Sequence, residues 1–245
     1  MKVKVVKDYE EMSQEAAYFL EDEVKNNPAS KLGLATGGTP RGTYHHLVKG
    51  YRERGVDYSQ VTTFNLDEYV NLPRNHEQSY HTFMEKHLFS HIPFHATYLP
   101  NGQAEDLEAE CAAYEKLIET EGPPDVQLLG IGENGHIGFN EPGASFGSTT
   151  HIAELTDTTR QANARFFSSL EEVPKQAITM GISSILKSKK ILLLVSGSAK
   201  EAAIERLLTG EVDEGFPASV LYRHADVTLI VDEDAYRKDV DESGG

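Results

Sequence analysis

A doubly wound α/β fold on a mainly parallel sheet is predicted by three features of this sequence. Short runs are mainly apolar without regular polar alternation, longer amphipathic stretches separate them, and glycine-rich turns follow three of the runs directly. A run with no polar alternation has no solvent face, so it suits a strand buried on both sides beneath crossover helices. Such runs are KLGLA (31–35), VTTFNL (61–66), VQLLGI (126–131), ILLLV (191–195) and VTLIV (227–231). The opening MKVKVVKDYEEM passes from a strand pattern straight into a helical one. Helical periodicity covers 8–26, 40–54, 76–89, 104–120 and 198–208. The stretch 142–180 breaks the rhythm. In a compact fold such a departure reads either as a lid, here around 156–180, or as an ordinary surface insertion. The tail DESGG reads as frayed.

Composition narrows the function classes. With 245 residues, 39% apolar and 25% charged, the chain suits one large globular domain over 1–245, with two small domains as the alternative. There are 23 Lys and Arg against 39 Asp and Glu, a formal net charge of -16. That field repels nucleic acid and anionic lipid, so neither a nucleic-acid nor a membrane partner is expected. An anionic substrate then needs cations placed locally. The one cysteine, Cys111, excludes a disulfide framework and a cysteine metal site, which fits a reduced, cytoplasmic setting. No apolar run approaches membrane-spanning length.

In open parallel sheets ligands sit at the carboxyl ends of strands, where glycines let backbone amides approach and the next helix offers its N-terminus. LATGGTPRG, LLGIGENGH and LLVSGSAKE all fit that position, so they point to one crevice. In the first, Thr36, Gly37, Gly38 and Thr39 precede Pro40, which suits a first helical position. Thr39 serves either as a helix cap or as a phosphate donor, and alone TGGTP fits a plain capped turn. In the third, Lys200 opposes the dipole of the helix it opens, which suggests a neighbouring anion. Gly130, Gly132 and Gly135 match G-x-G-x-x-G, but the following Glu141-Pro142-Gly143 is a poor continuation of a helix, so dinucleotide binding is disfavoured. The nucleoside-triphosphate P-loop pattern is absent, which disfavours phosphoryl transfer.

Two residues stand out for chemistry. FNLDEY places adjacent carboxylates, Asp67 and Glu68, at the end of a buried strand, on opposite faces if the strand continues. An aspartate there is ordinarily ionised at neutral pH and able to take a proton next to a carbonyl, although a salt-bridged turn also explains it. His136 sits among glycines, with Asn134 and Glu141 close enough in sequence to orient its ring, the arrangement of a proton shuttle. His87 and His91 have a metal-compatible spacing but no evident third ligand.

TGGTP (36–40), FNLDEYVNLP (64–73), SYHTFM (79–84), GIGENGHIGFNEPG (130–143), DTTRQANARFF (157–167) and SGSAK (196–200) together resemble the glucosamine-6-phosphate deaminase family, in order and over nearly the whole chain. The resemblance implies a three-layer αβα sandwich with a Rossmann-like sheet. It also implies conversion of glucosamine 6-phosphate and water to fructose 6-phosphate and ammonia, without metal or organic cofactor. Asp67 corresponds to the base that moves a proton from C2 to C1, and His136 to the ring-opening acid-base, with Glu141 as its carboxylate partner and Asn134 beside it. The phosphate falls to Thr36, Gly37, Gly38, Thr39, Arg165 and Lys200. Many relatives carry aspartate at position 134, so ring opening here is expected to lean on Glu141 alone for charge. His151 and Ala153 stand where allosterically activated hexameric relatives place basic residues. Strong activation by N-acetylglucosamine 6-phosphate is therefore not expected, and the choice between monomer and homo-oligomer stays open. A 6-phosphogluconolactonase-like hydrolase is the alternative activity, though it needs no base at C2. A sugar-phosphate sensor would need a basic helix-turn-helix segment, which this chain does not show.

Overall fold

The computed structural model describes residues 1–236, so the tail DESGG lies outside the described residues. Seven parallel strands form the main sheet: β1 (Lys2–Val6), β2 (Lys31–Leu34), β3 (Thr62–Asn65), β5 (Ala96–Tyr98), β6 (Val126–Leu129), β9 (Lys190–Val195) and β10 (Val227–Asp232). Their order is β1-β10-β9-β6-β2-β3-β5. From β2 the chain winds outward through β3 to β5, and from β6 it winds the other way through β9 to β10. The switch point therefore lies between β2 and β6, and the ligand crevice of such a sheet opens at their carboxyl ends.

Helices α1 (Tyr9–Asn26) and α2 (Gly38–Glu53) cover one face, around Met12, Leu20, Leu34 and Leu47. Helices α4 (Leu107–Glu121), α6 (Ile182–Leu186) and α7 (Glu201–Leu208) cover the other, around Ile118, Ile185, Leu193 and Ile204. The central runs are mainly apolar because both faces are covered. Helix starts follow their caps rather than the apolar periodicity. Asp8 accepts from the Glu11 amide at 2.9 Å, and Asp106 from the Ala109 amide at 2.9 Å. The expected helix at 76–89 begins only at Tyr80, where Ser79 accepts from the Thr82 amide. It runs as α3 (Tyr80–Met84) and continues as a wider π turn over Glu85–Phe89.

Two expectations need correction. The strand of FNLDEY does not run on: β3 stops at Asn65, and Asp67–Tyr69 form β4, an edge strand of a second, three-stranded antiparallel sheet. Leu66 is the hinge, its amide donating to Leu34 of the first sheet at 3.0 Å while its carbonyl accepts from Met180 of the second at 2.7 Å. The irregular stretch is likewise ordered, holding β7 (His151–Glu154), α5 (Asp157–Ala164) and β8 (Gln176–Thr179). β8 is the central strand of the small sheet, with Ala177, Ile178 and Thr179 fully buried, so residues 176–180 are scaffold. Strands of three or four residues, one pair joined across about a hundred residues of sequence, leave no local period to read.

Candidate active site

The carboxyl ends of β2, β6 and β9 and the start of β4 converge. Helix α2 begins earlier than predicted, at Gly38. Its cap, Gly37, has φ 99° and supplies no side-chain hydrogen bond, so neither Thr39 nor any other side chain occupies the first-turn amides. The positive φ favours glycine, and the uncapped N–H groups offer donors and a partial positive charge to an anion.

After β6 the chain folds back in a tight loop, the Gly132 amide donating to the His136 carbonyl at 2.9 Å. A Cβ on Gly132 would lie 2.1 Å from His136 Nδ1, so the imidazole occupies the space a side chain would fill. Asn134 accepts from the His136 amide at 3.2 Å and from Nδ1 at 2.8 Å, and its Nδ2 donates to Glu141 Oε2 at 2.9 Å. This chain of bonds sets the tautomer: Nδ1 carries the proton and Nε2 is the basic nitrogen. Glu141 itself lies 3.7 Å from Nδ1, too far for a hydrogen bond. Asn134 is thus the direct partner of the ring, and Glu141 acts through it. Burial pushes the His136 pKa down; Glu141 opposes that shift and Lys200 adds to it. The ring is held toward its neutral form.

Glu141 has a second tie that sequence reasoning missed. Thr159, buried on α5, donates to Glu141 Oε1 at 2.5 Å, fastening α5 to the site. Asn163 on the same helix donates to the Tyr69 hydroxyl of β4 at 3.0 Å. Thr159 lies within DTTRQANARFF, but three threonines in four positions give no local sign of which one turns inward.

Asp67 and Glu68 do take opposite faces. Glu68 is structural: it accepts from the amides of Tyr69, Tyr80 and His81 at 2.9 to 3.0 Å and from His81 Nδ1 at 2.7 Å, anchoring the start of α3. Asp67 turns toward the His136 loop, its Oδ2 3.8 Å from where a Cβ on Gly138 would stand. The Phe139 amide of that loop donates to Thr179, the cross-strand partner of Asp67, at 3.2 Å. Among the described residues nothing donates to the Asp67 carboxylate. Burial, together with Glu68, pushes its pKa up to about 8. The expectation of an ordinary, ionised aspartate is corrected: removing solvent from a carboxylate without a cation favours its protonated form.

Lys200 closes the crevice from the β9 side, its Nζ donating to the Ile131 carbonyl at 2.8 Å. Burial lowers its pKa, and Arg165, at the carboxyl end of α5, lowers it further while Glu133 opposes. The two cations are near enough to repel each other. Hydrogen bonds join Asn134, His136 and Glu141, Asp67 stands against the same loop at Gly138, and Lys200 acts on both His136 and Arg165, while Thr36, Gly37, Gly38 and Thr39 form the turn between β2 and α2. His91 is no metal ligand, because Arg52 donates to its Nδ1 at 3.2 Å and its Nε2 donates to the Lys86 carbonyl at 2.9 Å. No metal-ligating cluster occurs among the described residues, and no helix among them is long and apolar enough to cross a membrane.

Fold and site together define an α/β protein with a switch-point crevice and a buried carboxylate set against the loop that carries an oriented imidazole. The chain belongs to the family of glucosamine-6-phosphate isomerases/6-phosphogluconolactonase, whose model matches residues 7–230. It is 56% identical over 237 residues to the glucosamine-6-phosphate deaminase of Shouchella clausii, covering 96% of each chain. It is 52% identical to glucosamine-6-phosphate deaminase 1 of Bacillus subtilis, covering 96% of this chain and 98% of that protein. The solved structure of a monomeric glucosamine-6-phosphate deaminase superposes with a TM-score of 0.94 at 51% identity, over 96% of this chain and 98% of that one. A 6-phosphogluconolactonase from Trypanosoma brucei superposes with a TM-score of 0.78 at 17% identity, covering 96% and 97%; that likeness is one of fold.

Proposed function

We propose that this protein converts glucosamine 6-phosphate and water to fructose 6-phosphate and ammonia, as an isomerising deaminase. The observation that carries the reading is the placement of the unpartnered Asp67 carboxylate against the loop that carries His136. Lactone hydrolysis has no use for a buried base at that point.

The phosphate lies against the amides of Gly37 and Gly38, the hydroxyls of Thr36 and Thr39, and the cations Arg165 and Lys200. His136 Nε2 relays a proton from O1 to O5 and opens the pyranose ring. The C2 ammonium of the substrate supplies the cation that Asp67 lacks in the free protein, so binding draws its pKa back down and ionises it. Asp67 then takes the C2 proton of the open aldehyde and delivers it to C1, leaving a C2 imine that adds water and expels ammonia. Neither metal nor organic cofactor is needed for these steps. The segment 156–172, tied to the site through Thr159, is the part suited to act as a lid.

The partner is a small sugar phosphate, and the chain acts as a monomer, in keeping with the relative described as monomeric. Activation by N-acetylglucosamine 6-phosphate is not expected: His151 Nδ1 is committed to the Thr149 carbonyl at 2.7 Å, and Ala153 offers no charge. A sigmoidal rate curve made hyperbolic by that compound would contradict this. The activity itself is tested by incubating chelator-treated protein with glucosamine 6-phosphate and measuring ammonia and fructose 6-phosphate together. Equimolar release supports the reading, and release of neither product ends it.

A further inference from the structure

A groove of about 760 Å³ runs along the outer side of α2, away from His136 and Asp67. One wall is α2 itself. Arg41, His45, Lys49 and Arg52 lie on its groove side, at a spacing of three or four residues that stacks them on one helical face. At 1.5 Å per residue, Arg41 and Arg52 stand roughly 16 Å apart along the axis. The facing wall is the π turn after α3, which contributes Lys86 and His87, and the start of α1 closes one end with Tyr9 and Glu10.

The charge of this groove runs against that of the molecule. The chain carries -16, yet the lining holds four Lys or Arg against two glutamates, Glu10 and Glu53. Glu10 already meets His46, at 2.8 Å. Several cations elsewhere are matched: Lys187 reaches Glu115 and Glu119 at 3.2 Å, and Lys190 reaches Glu23 at 2.8 Å. Among the described residues, Arg41, Lys49 and Lys86 have no such carboxylate partner, and Arg52 donates to His91 Nδ1 instead. Arg41, Lys86 and His91 act together on His87, adding to the effect of burial in pushing its pKa down. Clustered like charges cost free energy unless an anion sits among them.

We propose that this groove is a binding site for a small polyanion carrying at least two phosphoryl or carboxylate groups, separate from the substrate crevice. Its volume falls within the roughly 300 to 1,000 Å³ of small-molecule sites and is too small to seat a folded domain. Cations spread along α2 and opposed by Lys86 favour a ligand whose anionic groups are separated over a single compact ion. Gly38, in the first turn of α2, lines one end of the groove. The inference does not depend on the deaminase reading.

The test is calorimetric titration of the full chain with tripolyphosphate at moderate salt, with inorganic phosphate as the monovalent-site control. Saturable binding is expected, at least about tenfold tighter than that of inorganic phosphate and weakening as salt rises. The double variant Lys49→Glu/Arg52→Glu, and independently Lys86→Glu on the other wall, should each weaken it at least about tenfold while leaving turnover unchanged. Lys200→Ala should leave it intact. Loss of tripolyphosphate binding in Lys200→Ala would place the anion in the crevice and overturn the proposal. Equal affinity in the charge-reversed variants would do the same, as would saturable binding of a poly-aspartate peptide with none of tripolyphosphate.

Discussion

Substituting Asn134 by aspartate isolates the electrostatic part of the ring's support from its geometric part. Aspartate keeps an oxygen where Asn134 accepts from His136 Nδ1 at 2.8 Å. It replaces the Nδ2 donor, now 2.9 Å from Glu141, with a second oxygen, so two carboxylates face each other. A full negative charge about 4 Å from the centre of the imidazolium is worth between about 1 kcal/mol in water and about 4 kcal/mol at an effective dielectric of 20. The His136 side chain is 29% exposed, so the effect lies between those limits, or about 1 to 3 pH units at 1.36 kcal/mol per unit. Repulsion between the carboxylates raises the pKa of one of them and trims the shift toward the lower end. In the parent the imidazole pKa is pushed below its usual value by burial, so the base form persists into mildly acid solution. The acid limb of kcat/KM in Asn134→Asp should therefore move upward by at least about one pH unit, with activity near neutrality falling as imidazolium accumulates. The assay is ammonia release at subsaturating glucosamine 6-phosphate across pH 5 to 9. Superimposable profiles would refute the view that Asn134 keeps His136 neutral.

Other substitutions probe the remaining contacts. Asp67 binds more protons folded than unfolded, since its folded pKa of about 8 exceeds its ordinary one; its contribution to stability is fullest below pH 4 and is lost as pH rises toward 8. Asp67→Asn removes that loss, so its unfolding free energy relative to the parent should climb by on the order of 1 kcal/mol per pH unit between 4 and 8, while deamination disappears; parallel urea-denaturation curves across that range would contradict the buried, unpaired carboxylate. Thr159→Val deletes the bond to Glu141, and kcat/KM should fall about three- to tenfold with the protein still folded, as the loss of about 1 kcal/mol for one hydrogen bond predicts; an unchanged pH–rate profile and rate would remove Thr159 from the positioning network. Gly132→Ala forces the His136 ring from its place, and a loss of at least about a hundredfold in kcat/KM, without unfolding by circular dichroism, is expected; near-parental activity would mean that ring position matters little.

Much of this molecule can be read along the chain. The five central strands are legible because strands covered on both faces are mainly apolar without alternation, and α1, α2 and α4 because their buried residues recur with the helical period. The three glycine turns mark the crevice because a parallel sheet gathers the carboxyl ends of its strands at one edge. The small antiparallel sheet is not legible: β4, β7 and β8 are three or four residues long and pair across distances that local patterning does not encode. That sheet turns Asp67 toward the His136 loop and Glu68 away from it.

The sequence by itself determined the sheet class, the location of the crevice, and the residue types available there: an aspartate, a histidine with polar neighbours, and two cations in an acidic chain. Those properties follow from short-range patterns of burial and from the chemistry of side chains. Only the tertiary structure decided that Asn134 stands between His136 and Glu141, that Thr159 reaches Glu141 from α5, and that Asp67 is held toward its protonated form. Hydrogen-bond partners and desolvation depend on which distant segments are packed into the same few ångströms, and that information resides in the folded chain alone.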